Sequence, residues 1–491
     1  MPLTKPGLFP LTKVAVALIS SLSLGAQAQS LVELYDSARS YDAAYLSSQL
    51  QFEAAQSVFE QRQALRRPTV SGTASLGGSY VDSGSRSDTN TSTSGVGATL
   101  LSSSTRSSSS TSATQAEARL GVSAQHPLFN RPNDFTLAQA ERQLTLADLA
   151  VKVAEQDLIV RVSQAYFDLL ASQDNLSLLA AQKKAVQEQL ASAQRRFEVG
   201  TATIIDTREA EASFDLILAQ EIAADGDLAV KRSALEQLVG KTRITPYTVR
   251  KGALFTDMGE SEQRWINQSE VNPLLKARRL ELEIARLETL KAQAGYLPTV
   301  ALTASLTQAM PAGSSSTSST STLSGLTAAN TASNTMSNSG QKTWPGNSTN
   351  AAVGVQLNVP LFTGYAVQNR IRETLSLQDK VRKDLEGATR TVAQSIRSAF
   401  FKLRADQGQV KALEAAELSR QSAVASNLLG YQVGVGTNID VLNSQSLLFQ
   451  TRRDAARARY DVLVGGLKLK QATGVLSAED LKPVNEQLSQ P

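Results

Sequence analysis

An internal repeat constrains this chain more than any other feature. At an offset of 234 residues Gly200 aligns with Gly434. The same shift brings Val199 onto Val433, Thr203 onto Thr437, Ile205 onto Ile439, Asp206 onto Asp440 and Gly240 onto Gly474. Ala165-Tyr166-Phe167 also meets Ala399-Phe400-Phe401 at that offset. Offsets of 233 and 230 match Pro127-Leu128-Phe129 with Pro360-Leu361-Phe362, and Arg67-Pro68-Thr69-Val70 with Leu297-Pro298-Thr299-Val300. The chain past residue 28 therefore reads as two copies of one structural unit. Halves this long are not the short stacked repeats of a solenoid, so each must hold several elements of its own.

Within a copy the expected order is helix, strand, loop, strand, very long helix, turn, helix. The first copy, 29–240, is expected to hold an outward helix at 31–67, strands at about 69–81 and 115–129, an outer loop at 82–114, a long helix at 133–198 and a return helix at 204–240. The second, 271–474, repeats this with a helix at 271–296, strands at about 298–310 and 351–362, a loop at 311–350, a long helix at 365–432 and a return helix at 438–474. Residues 241–270 connect the copies and 475–491 form a polar tail, interrupted by Pro246 and Pro483 respectively. The first helix should stop at Pro68, whose ring clashes with the preceding turn and whose nitrogen lacks a proton to donate.

The strand candidates alternate. Val70, Ala74, Leu76 and Tyr80 oppose Ser71, Thr73, Ser75 and Ser79; Ala116, Ala118, Leu120, Val122 and Ala124 oppose Glu117, Arg119, Ser123 and Gln125. In the second copy Val300, Leu302, Ala304 and Leu306 oppose Ala301, Thr303, Ser305 and Thr307, and Val353, Val355, Leu357 and Val359 oppose Gly354, Gln356 and Asn358. A period of two marks a half-apolar strand, and each run has about the ten residues that a membrane-crossing strand needs. Residues 82–114 hold 20 Ser or Thr among 33, too little apolar surface to order a domain, so they read as a long loop. Long loops at one strand end and short connections at the other are typical of outer-membrane barrels. Phe129, Tyr296, Phe362 and Tyr365 fall at the opposite strand ends, where aromatics sit at a membrane interface. A soluble hairpin with one wet face would show the same alternation.

A helix from about 133 to 198 would be roughly 100 Å long, far more than one globular core can cover. Leu144, Val151, Leu158, Ala165, Leu179, Val186 and Ala193 share one seven-residue ladder, broken by Ser172. Val162, Leu169, Leu176, Leu190 and Phe197 form a second, broken by Lys183. Such ladders describe a coiled-coil seam. Gly200 and Gly434 end the long helices, and Thr203 with Asp206 and Thr437 with Asp440 start the next ones as [ST]-x-x-[DE] caps.

Other chemistries find little footing. The formal charge is +4. Lys5 and Lys13 supply two of those charges, which leaves about +2 from Gln29 onward, too little to argue for nucleic acid. These lysines, the apolar run VAVALISSLSL and Ala26-Gln27-Ala28 read as a secretory signal over 1–28. There is no Cys and one His, His126, so neither a His/Cys metal site nor a Ser-His-Asp arrangement has its parts. No GxxxxGK[ST] loop is present. The chain is expected to be no enzyme and to carry no cofactor.

Four amphipathic strands cannot close a useful barrel, and an open sheet in lipid leaves backbone groups unpaired, so chains must combine. With RFEVGTATIID and YQVGVGTNIDVL at the turns, PLF before each long helix and proline before each outward strand, the sequence resembles the TolC family of outer-membrane efflux and secretion ducts over nearly its whole length past the leader. The absent lipid-bearing Cys and the stretch LVELYDSARSYDAAYL lean toward its type I secretion branch. The resemblance implies a homotrimer in the Gram-negative outer membrane, with a 12-stranded β-barrel continued by a 12-helix α-barrel through the periplasm. The partners it implies are a periplasmic adaptor and an inner-membrane ABC or proton-driven transporter, and 241–270 and 475–491 would lie in a belt around the helices.

Carried over by position, Val199, Gly200, Thr201, Val433 and Gly434 would form the adaptor-docking tip. Asp206, Asp440 and Tyr431 would lie at the inner mouth. Relatives hold a cation near the position of Gly436 and often a second acid at that of Asn443; this chain departs from both. A plainer reading makes the two Asp residues helix caps alone; Arg195 and Arg196 read either as help in docking a partner or as a solvated helix end with cations placed for the dipole. A trimeric surface adhesin or a coiled-coil stalk is the alternative function. The terminal LKPVNEQLSQP is no membrane strand, which weighs against the adhesin.

Overall fold

The computed structural model describes residues 29–93, 101–249, 261–327, 330–343 and 346–489. The expected signal at 1–28 and residues 250–260 of the connection lie outside these. The elements run α1 (Leu31–Tyr41), α2 (Ala43–Gln63), β1 (Thr69–Thr93), β2 (Leu101–Phe129), α3 (Arg131–Glu198), α4 (Ile204–Val239) and β3 (Thr248–Val249). They continue with α5 (Glu262–Gln268), α6 (Pro273–Gln293), β4 (Thr299–Thr327), β5 (Asn330–Thr343), β6 (Ser348–Asn358), α7 (Ala366–Gln432), α8 (Asn438–Thr473), α9 (Leu481–Glu486) and β7 (Leu488–Ser489). α3 and α7 have 68 and 67 residues, each about 100 Å of helix. Among the described residues no helix is both long and apolar enough to cross a membrane.

The chain forms two units. The first comprises Met1–Phe52, Ala147–Arg278 and Leu385–Pro491. Ser30 opens α1 with a capping box to Glu33. Leu31, Leu34 and Tyr35 of α1 are buried with Leu158, Ile159, Val162 and Tyr166 of α3 and Leu235 of α4. The Phe167 ring stacks on Tyr460 of α8 at 5.7 Å. The polar residues that interrupt the two α3 ladders are met by acids of the antiparallel α4. Ser172 Oγ donates to Asp227 Oδ2 at 2.6 Å, and Lys183 Nζ pairs with Glu221 at 2.5 Å. β3 and β7 pair in a small two-stranded sheet.

The second unit comprises Glu53–Leu146 and Arg279–Asp384. Its sheet is antiparallel in the order β1-β2-β4, with β5 and β6 both pairing the far side of β4. β6 meets Thr299–Ala309 of β4 and β5 meets Ser314–Thr327, so together they fill a fourth strand position. The gap between them lies opposite the Met310–Gly313 stretch of β4, where Pro311 cannot donate to a ladder.

The structure corrects the loop assignments. Residues 82–93 and 101–114 are strand, as are 311–327 and 330–343. Burial is not what orders them. Backbone groups are satisfied by pairing across β1, β2, β4 and β5, and hydroxyls bridge neighbouring strands, as in Ser85–Ser109 at 2.9 Å and Ser112–Ser316 at 2.8 Å.

Candidate functional site

There are two separate candidate surfaces, the helix turns of the first unit and one sheet face of the second. In the first turn Gly200 has φ 76°, Gly200 N–H donates to Phe197 O at 2.9 Å and Thr201 N–H to Arg196 O at 2.8 Å. In the second Gly434 has φ 83°, Gly434 N–H donates to Tyr431 O at 3.3 Å and Val435 N–H to Gly430 O at 2.9 Å. Both are the left-handed closure that glycine permits at a helix end. α4 and α8 then start on identical caps. Thr203 Oγ accepts from Asp206 N–H and Thr437 Oγ from Asp440 N–H, both at 3.3 Å, and each Asp returns a bond to the Thr backbone. The hydroxyl of Thr437, and next its N–H, hold the Asp440 carboxyl below its ordinary value by bonding to its charged form.

The tip residues Val199 and Val433 are exposed, with Val435 beside them at 85%. Gly200, Thr201 and Gly434 are exposed with them, and no atom would obstruct a Cβ on either glycine. Asp440 and Asn443 are exposed and Asp206 is half-buried. Tyr431 is buried beneath Arg196, whose guanidinium lies 4.5 Å from the ring centroid. A Cβ on Gly436 would come within 3.2 Å of Tyr431 N, so the second turn folds tightly against its own helix.

Asn438 and Gln189, which the sequence reading left unassigned, and Arg196, half-buried and not the solvated helix end expected, tie the turns together. Asn438 is fully buried at the start of α8. Its Nδ2 donates to Asp206 O at 2.9 Å, and its Oδ1 accepts from Gln189 Nε2 at 2.6 Å. Arg196, besides stacking on Tyr431, reaches that residue's carbonyl at 3.5 Å. The signal was available in the repeat: Asn438 occupies the position of Ile204 and Arg196 that of Gly430, so chemistry changes where the backbone does not.

The sheet register brings the alternating runs onto one face, because directly opposed residues project to the same side. Val70, Ala124, Ala304 and Val353 form one row; Gly72, Val122, Leu306 and Ala351 form another two residues on. Leu76, Ala118 and Met310 continue the set. Leu76 is 84% exposed and Val353 79%, so among the described residues nothing covers this face. From Val300 to Met310, interrupted by Gln308 and Thr349, which bond to each other, it runs about 33 Å along β4. A strand tilt of 35–45° reduces that to about 25 Å, the height of the apolar band on outer-membrane barrels. Phe129, Tyr296, Phe362 and Tyr365 are exposed at one end of the band, and Phe362 meets Tyr365 edge to face at 5.8 Å.

The family described as outer membrane efflux protein matches residues 34–241 and 267–475, one segment for each copy of the repeat. The outer membrane protein TolC of Vibrio cholerae is 29% identical over 473 residues, covering 96% of both chains. TolC of Escherichia coli is 29% identical over 311 residues, 63% of this chain, and the match spans 60% of that relative's length. The alkaline protease secretion protein AprF of Pseudomonas aeruginosa is 28% identical over 316 residues, 62% of this chain and 58% of the relative. Among solved structures the Campylobacter jejuni CmeC outer membrane channel superposes with a TM-score of 0.67 at 14% identity, covering 99% of this chain and 98% of the other.

Proposed function

This chain belongs to the outer membrane efflux protein family, and from that premise we propose that it is a passive outer-membrane duct of a tripartite efflux or type I secretion system. The observation that carries the reading is the sheet: four strand positions and, among the described residues, one uncovered apolar face of membrane height and two edges without a partner. A lone sheet of this kind in lipid would leave a row of N–H and C=O groups unpaired at β1 and another at β5 and β6. Three copies joining edge to edge make twelve strands and remove every edge. The polar face, with Arg119 and Glu117 paired at 2.7 Å, then lines the water-filled bore.

In this reading the helix turns form the periplasmic entrance. Val199, Gly200, Thr201, Val433 and Gly434 present a small, apolar, open surface to the adaptor. Asp206 and Asp440, repeated threefold, give the mouth rings of acid that favour cations, and Asn443 leaves that charge lower than a second acid would. Gly436 supplies no cation to lock the mouth, and the Arg196–Tyr431 and Gln189–Asn438–Asp206 contacts hold the two turns together in its place. Opening requires these contacts to loosen under adaptor and pump binding. The energy comes from the pump, an ABC or proton-driven transporter.

Purified full-length protein in a planar bilayer should conduct ions as a trimer, and cells should place it in the outer membrane fraction. A monomer without conductance overturns the duct.

A further inference from the structure

We infer that the Ser/Thr-rich part of the sheet is a saccharide-binding collar: it carries the duct wall outward past the apolar band and takes the neutral glycan chains of the outer leaflet on its outer face. The inference rests on the duct reading.

Pairing does not stop where the apolar band does. β1 stays paired with β2 out to Thr93 and Leu101, β2 with β4 out to Ser103 and Gly325, and β4 with β5 out to Thr327 and Asn330. From Ser314 to Thr327 this adds about 43 Å along β4, or about 33 Å of height at the same tilt. Two hairpins paired to each other along their length form a wall, and that wall continues the one in the membrane.

The change of chemistry on the outer face is abrupt. From Val70 to Gly78 on β1 that face carries no charge; Tyr80 follows, then Asp82, Arg86 and Asp88. Arg106 of β2 pairs with Asp88 at 3.0 Å, so the added charges nearly cancel. On the opposite face of the collar Lys342 is the one charged residue among those described. Leu323 and Met336 are exposed as a diagonal pair on that opposite face, and past Tyr80 the described outer-face side chains include no large apolar one to recruit a protein. The remaining surface is mainly hydroxyl, and each hydroxyl both donates and accepts. A polyhydroxyl chain is the partner with matching chemistry, and the sugar layer of the outer leaflet lies at this level.

A groove of about 670 Å³ lies on the outer face and is where the sugar is placed. It spans the strands just above the band, with Tyr80 and Asp82 on one side and Ser112, Ser316, Ser339 and Gln341 across from them. Tyr80, 68% exposed, offers a ring face to the C–H surface of a sugar. Asp82 and the hydroxyls offer acceptors and donors to its rim.

The test is hydrogen exchange on the full-length protein in vesicles containing either smooth lipopolysaccharide or a deep-rough form without outer glycan. Amides of 82–93 and 313–325 should exchange slowly in both, as laddered groups do, and at least about tenfold more slowly with the smooth form. Tyr80→Ser with Asp82→Asn should abolish the difference and leave the slow baseline. Rapid exchange of 82–93 beside slow exchange of 69–80 overturns the collar. Equal protection by both lipids, or protection that survives the double substitution, overturns the saccharide site. Failure of the duct reads differently: no conductance from protein whose collar amides are slow and glycan-sensitive.

Discussion

At 199–206 and at 433–440 the chain makes one backbone turn twice, with Gly200 at φ 76° and Gly434 at φ 83° and the same Thr–Asp cap. The surroundings differ. Ile204 is 49% exposed, whereas Asn438 at the equivalent position is wholly buried between Gln189 and the Asp206 carbonyl. Phe197 is 43% exposed, whereas its counterpart Tyr431 is covered by Arg196. The backbone repeat was kept for geometry, and the side chains diverged so that one turn became a socket for the other. A symmetric pair of turns would meet only through apolar contact. This pair has a directional polar junction, which fixes its relative position and gives opening a defined set of contacts to break.

The largest effect that would break the comparison is at Asn438. Asn438→Leu should destabilise the folded protein by about 2–3 kcal/mol, because it strands the buried Gln189 amide and removes a second bond to the Asp206 carbonyl. Ile204→Asn, at the equivalent exposed position, should stay within about 0.5 kcal/mol. Thermal unfolding in detergent separates them, and similar losses would mean that the two turns are not differently embedded. Next come the glycines. Gly200→Ala and Gly434→Ala should each cost about 1–2 kcal/mol from the left-handed backbone alone, since open space surrounds both. A bulky charged residue at either should also weaken adaptor binding in a pull-down while membrane insertion persists.

The caps sharpen the comparison further. Thr203→Ala and Thr437→Ala should each cost about 1 kcal/mol at neutral pH. The Asp440 carboxyl is held below its ordinary 3.8. Its contribution is therefore complete above that value and disappears as pH falls through the lower, folded value. The melting-temperature loss from Thr437→Ala should accordingly shrink between pH 7 and pH 3, and an undiminished loss would show that the hydroxyl acts without the carboxylate. The smallest expected change is Arg196→Ala, at about 0.5–1 kcal/mol of lost ring contact. Its clearer sign is functional: open probability of the reconstituted channel should rise, and an unchanged conductance record removes Arg196 from the closed mouth.

Much of this molecule was readable before any coordinates. The mainly helical class with a sheet part, the twofold repeat and the two capped turns all follow from local rules. Glycine tolerates the turn, Thr-x-x-Asp begins a helix, and periods of two and seven separate strand from helix. The Ser/Thr segments were misread because their order is not local. Ser112 is strand because Asp82 lies on one side of it and Ser316, 204 residues away, on the other, and no window of sequence around Ser112 shows the second partner. Ser172 and Lys183 interrupt the seam in sequence for the same reason: their partners, Asp227 and Glu221, lie on another helix.

The sequence by itself determined the elements, their order and their duplication, because these depend on spacing along one chain. Only the tertiary structure decided which alternating faces fall on one side of the sheet, how far the wall extends, and which of two matching turns holds the other. Those outcomes depend on register and on partners hundreds of residues apart, where hydrogen bonds are satisfied across space and not along the backbone.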